Sequence, residues 1–99
     1  MELVLNLKDL SNRLKIKRVS KALCDLMRLE IISLISQGDE NLNYGEISKK
    51  VGRSPTSITN HMNWIRNSGL IEDLVVEGKR GKMQKIPKLK LKKITINLV

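Results

Sequence analysis

Residues 43–69 read NYGEISKKVGRSPTSITNHMNWIRNSG, and this segment has the pattern of two helices joined by a tight turn. The first helix is short and places Ile47 on its inward apolar face. Gly52 supplies the positive φ that a short corner between helices requires. Ser54 and Pro55 suit the N-cap and first turn of the second helix, because Ser accepts a backbone N–H and Pro lacks one. We therefore predict a helix-turn-helix over residues 43–69.

The second helix, over about residues 55–67, divides into an apolar face and a polar face. Ile58, Met62 and Ile65 recur at steps of three and four residues and are expected in the core. The other positions carry mainly short hydroxyl and amide side chains, which suit base edges in the major groove, since Asn pairs with adenine and Thr contacts thymine. A solvated outer face is the plainer alternative. The candidate DNA-contacting residues here are Ser54, Pro55, Thr56, Ser57, Thr59, Asn60, His61 and Asn63.

Basic residues precede the polar face of this helix in the sequence. Lys49, Lys50 and Arg53 flank it and can hold phosphates without reading bases. The helix start at Ser54 adds free backbone N–H groups and a dipole that favour a phosphate. These residues are therefore candidate backbone contacts.

A strand, a tight turn and a second strand follow the two helices. Residues 70–77 are rich in β-formers, 78–81 contain two glycines, and 82–90 form the returning strand. Pro87 cannot donate a ladder hydrogen bond, so we place it at an edge or a bulge. A basic turn can contact phosphates or enter a narrow minor groove, although cations also protect edge strands from aggregation. The candidate DNA contacts of this ribbon are Lys79, Arg80 and Lys82.

The net charge of +9 is concentrated at the two ends of the 99-residue chain. Residues 78–99 hold eight basic side chains and no acidic one, and residues 1–28 have a net charge of +4. The middle, residues 29–77, has a net charge of −3. Such basic segments favour a polyanionic partner, and the length fits one compact domain.

The predicted fold class is α+β: a winged helix-turn-helix with a mostly helical core, a β-ribbon wing and a possible extra strand at each terminus. Leu3, Leu5 and Leu7 alternate as in a short strand, and Asp9 or Ser11 caps a first helix. A second helix runs over about 26–37, followed by a polar turn over 38–41. The alternation of the last strand slips at 92–93, which indicates a bulge or a change of strand. Within a single domain over 1–99, we predict an N-terminal extension over 1–16, the helix-turn-helix over 43–69, the wing over 70–90 and a C-terminal strand over 91–99.

Several functional classes are excluded by composition. Tyr44 and Trp64 are the only aromatic residues, which argues against base stacking on an aromatic platform. Cys24 is the only cysteine and cannot close an intrachain disulfide or build a zinc site. No phosphate-binding glycine loop, nucleophile with a base or carboxylate cluster is present, so we predict no enzyme, cofactor, metal or small-molecule substrate. No apolar stretch approaches the ~18–20 residues that cross a bilayer, so we predict a cytoplasmic protein without a membrane partner.

Three single residues need an interpretation. Cys24, within an apolar helix pattern, is interpreted as a small buried hydrophobe, with an intersubunit disulfide or redox sensing as the alternatives. Trp64 flanks the core face and is expected to pack under the wing or at a dimer contact. His61 is the only histidine and is interpreted as a base, phosphate or packing contact rather than a catalyst or ligand.

Two segments carry a resemblance to a known family. VSKALCDLMRLEII over residues 19–32 resembles the Ala-Leu-x-Asp-x-x-Arg-Leu-x-Ile signature of ArsR-type repressors, and SPTSITNHM over 54–62, followed by Gly-Leu-Ile at 69–71, resembles their recognition helix and the entry to their wing. The resemblance spans about residues 17–86. It implies a symmetric dimer that binds a pseudo-palindromic operator as a transcription repressor, with the first helix and a terminal segment at the dimer contact.

The chain departs from the family pattern in two places. Metal-sensing members carry a cysteine pair before the recognition helix, and the corresponding residues 42–48 contain none, which argues against metal sensing. A C-terminal helix that often completes the dimer is replaced by a strand-like segment over 88–99.

The predicted function is therefore sequence-specific regulation through double-stranded DNA. The alternatives are a winged-helix interaction module of the transcription or replication machinery and a sequence-neutral duplex binder.

Overall fold

A computed structural model describes residues 1–39 and 41–99, with the side chain of Lys79 outside the description. Glu40, part of the predicted polar turn, also lies outside the described residues. The elements in chain order are β1 (Glu2–Asn6), α1 (Leu10–Leu23), α2 (Leu26–Ser36), α3 (Tyr44–Val51), α4 (Pro55–Asn67), β2 (Ile71–Glu77), β3 (Met83–Leu89) and β4 (Lys93–Asn97). No described helix is both long and apolar enough to cross a bilayer.

The first two helices begin at aspartate caps. Asp9 caps α1: its carboxylate accepts from the backbone N–H of Ser11 at 3.0 Å and from the Ser11 hydroxyl at 2.7 Å. These hydrogen bonds hold the pKa of Asp9 below its ordinary value. Asp25 caps α2 in the same way, accepting from the backbone N–H of Met27 at 2.8 Å. The cap at Asp25 follows directly on Cys24, the C-cap of α1, so the break between α1 and α2 lies at residues 24–25.

The corner between α3 and α4 has the predicted local chemistry. Gly52 ends α3 with φ of 68°, in the left-handed region that non-glycine residues avoid. Buried Ser48 closes the corner, because its carbonyl accepts from the N–H of Arg53 at 3.2 Å and its hydroxyl donates to the carbonyl of Arg53. Ser54 caps α4 and Pro55 occupies its first turn, as the sequence predicts.

Two separate two-stranded sheets follow from the strand patterns. β2 and β3 form an antiparallel hairpin in continuous register from Ile71 opposite Leu89 to Glu77 opposite Met83. Pro87 lies within this register on a two-stranded sheet, where every strand is an edge. β1 and β4 pair in parallel, so the predicted slip at 92–93 is a change of sheet.

One core cluster joins the helices to the base of the wing. Its members are Ala22, Ile31, Ile35, Leu42, Ile47, Ile58, Met62, Ile65, Leu70, Ile71 and Leu91. Leu3 of β1 and Ile94 of β4 pack against this cluster, so the terminal sheet is attached to the same core. The fold is thus the predicted α+β winged helix-turn-helix, with a strand near each end of the chain.

Candidate nucleic-acid interface

The helix α4 presents one fully buried face and one exposed face. Ile58, Met62 and Ile65 are fully buried, as predicted. On the opposite side the side chains are exposed and uncharged: Pro55, Thr56, Thr59, Asn60 and Asn63. Ser57 and His61 are half-buried at the boundary between the two faces.

Local hydrogen bonds hold part of the exposed face. The hydroxyl of Thr59 donates to the carbonyl of Pro55 at 3.0 Å, and the side-chain oxygen of Asn63 accepts from Arg66. Among the side-chain hydrogen bonds of the described residues, none involves the side chain of Asn60. The amide of Asn60 is therefore the one on this face with both its donor and its acceptor open to an incoming group.

Exposed cations surround the start of α4. Lys49, Lys50 and Arg53 are all exposed at the end of α3 and in the corner, and Ser54 is exposed at the cap. Lys49 makes a 3.6 Å surface ion pair with Glu46, which leaves it mobile enough to change partners because such exposed pairs are weak.

The wing ends in a tight basic turn. Its ends are closed by a 2.7 Å hydrogen bond from the N–H of Gly78 to the carbonyl of Lys82. Arg80 is exposed at the tip with φ of 61°, a left-handed conformation, and Lys82 is also exposed. Lys79 belongs to the same turn, and its side chain lies outside the described part of the structure.

The wing lies next to α3. Asn43, which caps α3, donates from its side-chain amide to the side-chain oxygen of Gln84 on β3 at 3.0 Å. Lys50 and Gly78 line the same open groove between α3 and the wing. Lys50 near the end of α3 and the base of the wing turn thus border one groove.

A carboxylate that sequence reasoning missed ties three elements together. Asp73 of β2 accepts from the hydroxyl of Tyr44 on α3 at 2.8 Å and from Arg66 on α4 at 3.2 Å. Burial and then the hydrogen bond with Asp73 raise the pKa of Tyr44 above its ordinary value. The only signal in the sequence was an acidic residue within an apolar strand pattern, and this pattern does not indicate which residues the acid contacts.

Three side chains lie at the junction of α1, α2 and α4. Cys24 is exposed, so the interpretation as a buried hydrophobe is wrong: it caps the end of α1, outside the apolar face, and its thiol donates to the carbonyl of Lys21. His61 is turned toward α2, where its Nδ1 lies 3.2 Å from a guanidinium nitrogen of Arg28. Since Arg only donates, Nδ1 is the acceptor in this pair.

The same junction sets the pKa of Asp25. Partial burial disfavours its charged form, but hydrogen bonds from the backbone N–H groups of Met27 and Arg28 act in the opposite direction. The positive charge of Arg28 adds to these bonds, and together they hold the pKa of Asp25 below its ordinary value.

Trp64 lies against α1. The first of the two expectations, that it packs under the wing, is therefore wrong. Its ring is 45% exposed and its centroid is 5.3 Å from the Nζ of Lys21. The other expectation, a dimer contact, stays a prediction. The pattern of α4 shows that Trp64 flanks the core face, but α1 comes to lie beside it only through the tertiary fold.

The comparisons with known proteins agree with this geometry. The family model described as "Bacterial regulatory protein, arsR family" matches residues 23–73, just over half of the chain. Among solved structures, reduced HlyU from Vibrio cholerae N16961 superposes with a TM-score of 0.58 at 25% sequence identity, covering 80% of this chain and 76% of that one. No curated protein matches the chain. The matched segment contains α2, the helix-turn-helix and the entry to the wing, and the chain belongs to the arsR family of bacterial regulatory proteins, which are DNA-binding transcription regulators.

Proposed function

We propose that this regulator is a sequence-specific repressor that acts on double-stranded DNA as a homodimer. The observation that carries the proposal is the exposed, uncharged polar face of α4, backed by a fully buried apolar face and bordered by exposed cations. A rigid helix with this division can enter a major groove about 12 Å wide while its other face stays in the core.

Base reading is assigned to the exposed face of α4. Thr56, Asn60 and Asn63 would contact base edges, with Ser57 and Thr59 beside them at bases or nearby phosphates. Asn60 is the leading candidate, because its open amide can form a bidentate pair with adenine. His61 is assigned a contact at the margin of this face, since Arg28 already engages its Nδ1.

Backbone binding is assigned to the cations and to the helix start. Lys49, Lys50 and Arg53 would hold phosphates near the N-terminus of α4, where Ser54 and Pro55 begin the helix. The wing residues Lys79, Arg80 and Lys82 would grip the backbone beside the minor groove. These contacts supply affinity on any sequence, whereas the α4 amides supply the choice of site.

A homodimer would bind two half-sites about 34–36 Å apart, one turn of the double helix, and would repress by occupying the operator. Exposed apolar side chains on β1 and at the start of α1 are candidates for the dimer contact, namely Val4 and Leu10. In this proposal the whole chain, 1–99, works as one winged helix-turn-helix domain. Sedimentation across protein concentrations tests the dimer directly, and a monomer at every concentration would contradict it.

The division of labour is tested on sites selected from random duplex DNA. Asn60→Ala should cost ~1–3 kcal/mol of binding free energy on the selected site and leave binding to random duplex unchanged. Arg80→Gln should weaken binding on both duplexes and lower the salt slope by about one. Asn41→Ala, an exposed amide on the loop before α3, is the matched control and should change neither. If Asn60→Ala and Arg80→Gln lost affinity equally on random duplex, the chain would be a sequence-neutral binder.

A further inference from the structure

A second basic surface lies between α1 and α4, away from the helix-turn-helix corner and the wing. It is an open groove of about 570 Å³ lined by Leu14, Lys17, Arg18, Lys21, Trp64 and Asn67. Three of these six residues are cationic and none is acidic. The groove was not part of the predicted DNA-binding residues.

Trp64 holds a cation of this groove beside α4. The Nζ of Lys21 lies 5.3 Å from the centroid of the indole ring, and the guanidinium carbon of Arg28 lies 6.0 Å from it. Cation–π attraction of this kind directs Lys21 toward α4 instead of into free solvent. Because the ring already engages two cations, its role fits the placement of charge better than the stacking of a base.

The groove is continuous with the exposed face of α4. Trp64 and Asn67 line both this groove and a neighbouring depression of about 420 Å³ whose other lining residues are Asn60 and Asn63. A polyanion seated along the amides of α4 therefore reaches the cations of α1 past Trp64 and Asn67, and no acidic residue lines this path.

The length of α4 favours contacts on both sides of a DNA groove. Its 13 residues span about 20 Å, which exceeds the ~12 Å width of the major groove. Arg53 and the end of α3 lie at its N-terminal end, and Trp64 and Asn67 lie in its last two turns. Cations thus lie near both ends of α4, where the two phosphate strands that border the groove would pass.

The positive charge of α1 favours a polyanion, and not a second copy of the chain, as the occupant of this groove. Residues 10–23 include five basic side chains and no acidic one, so two such helices repel each other where the cations face. We propose that the α1–α4 groove, through Lys17, Arg18 and Lys21, is a second phosphate-binding surface that holds the DNA backbone beside the C-terminal half of α4. The inference rests on the proposed function, since it requires duplex DNA on α4.

The triple variant K17Q/R18Q/K21Q tests the groove. Gln has nearly the helix propensity of Lys and Arg, so α1 should persist, which circular dichroism verifies. The matched control K90Q/K92Q/K93Q removes the same charge from exposed residues that do not line the groove. We expect the groove variant to lower the salt slope of duplex binding by roughly two to three, on selected and random DNA alike, and the control to lower it by less than one.

A measurement on the unaltered protein gives an independent readout. Trp64 is the only tryptophan and is 45% exposed, so its quenching by acrylamide reports on this groove and on the adjoining depression beside Asn60 and Asn63. We expect saturating duplex DNA to lower the acrylamide quenching constant of the wild-type chain. In the K17Q/R18Q/K21Q variant, saturated with the same duplex, the protection should be smaller than in wild type, and the K90Q/K92Q/K93Q control should keep the wild-type protection.

The outcomes separate this inference from the proposed function. If wild type binds its selected site and Asn60→Ala weakens that binding, but the two triple variants behave alike and Trp64 stays accessible, the groove proposal is wrong and the proposed function stands. If wild type binds no duplex at all, both are overturned. Equally large decreases of the salt slope in the groove and control variants would also overturn the groove proposal, since they would reflect the loss of net charge only.

Discussion

Replacing Asp73 with alanine should remove the side-chain link that joins α3, α4 and β2. The carboxylate is only 12% exposed and accepts from the hydroxyl of Tyr44 at 2.8 Å and from Arg66 at 3.2 Å. Asp73→Ala leaves that hydroxyl without its acceptor and that guanidinium without its counter-charge. The change therefore removes contacts from three elements by shortening one side chain.

The expected cost follows from the burial of the two partners. A hydrogen bond to a charged acceptor contributes about 1.5–3 kcal/mol. The ion pair adds only about 1 kcal/mol, because the side chain of Arg66 is 31% exposed and water screens it. The total is about 3 kcal/mol in the free energy of unfolding, or a fall of roughly 12–24 °C in Tm for a domain of this size.

Urea unfolding followed by circular dichroism measures this cost. Glu72→Ala, an exposed carboxylate one residue earlier on β2, is the matched control and should stay within about 0.5 kcal/mol of wild type. The double variant Tyr44→Phe/Asp73→Ala should cost less than the sum of the single variants, because both remove the same hydrogen bond. The stabilising role of this link would be refuted if Asp73→Ala lowered the free energy of unfolding no more than Glu72→Ala. It would also be refuted if the losses of Tyr44→Phe and Asp73→Ala were fully additive in the double variant.

Three further perturbations have defined outcomes. Tyr44 is the only tyrosine, so phenolate absorbance should titrate above the ordinary tyrosine pKa of about 10 in the folded chain and return to it in urea. Since the folded pKa is the higher one, this contribution to stability is present below pH ~10 and is lost as the pH rises above it; Tyr44→Phe should abolish that loss. Asp25 has a lowered pKa in the folded state, so its contribution is present above the ordinary Asp pKa of about 3.9 and is lost as the pH falls below it; Asp25→Asn should keep the cap and flatten the acid limb of a pH series of urea midpoints. Gly52→Ala should cost ~1–2 kcal/mol from left-handed strain alone, because no heavy atom outside Gly52 and its chain neighbours lies within 4 Å of the added Cβ. Gly52→Asn should cost less, and equal costs for the two variants would show that left-handed strain is not the cause.

The features that the sequence predicted correctly are local ones. Ser54, Pro55 and Gly52 each work through their own backbone conformation or that of residues two or three positions away, so their roles follow from spacing. The buried face of α4 follows from helical periodicity. The two adjacent lysines at 92–93 interrupt the alternation of apolar and polar residues, and in one continuous strand they would move the apolar residues to the opposite face. The sequence therefore predicted a break in the strand there.

The features that the sequence did not give depend on packing between distant segments. Cys24 lies in an apolar run, but that run belongs to two helices, and the cap at Asp25 turns the thiol outward. Trp64 was expected under the wing or at a dimer contact because it flanks the core face of α4, whereas α1 lies beside it in the tertiary fold. Asp73 lies 29 residues from Tyr44, and the acidic pair Glu72–Asp73 in the strand does not indicate which of the two carboxylates has a partner or where that partner lies.

The distribution of charge explains why affinity and site choice should be separable in this chain. The outward face of α4 is uncharged, and the one arginine of the helix, Arg66, is paired with Asp73 and also donates to the side-chain oxygen of Asn63. Cations instead lie at the end of α3, on the wing and along α1. Phosphate attraction acts on every sequence and weakens with salt, whereas amide–base hydrogen bonds act on one sequence and depend little on salt. An increase in salt should therefore weaken binding to random DNA and to the operator by similar factors and leave the ratio between them, set by the α4 amides, nearly constant.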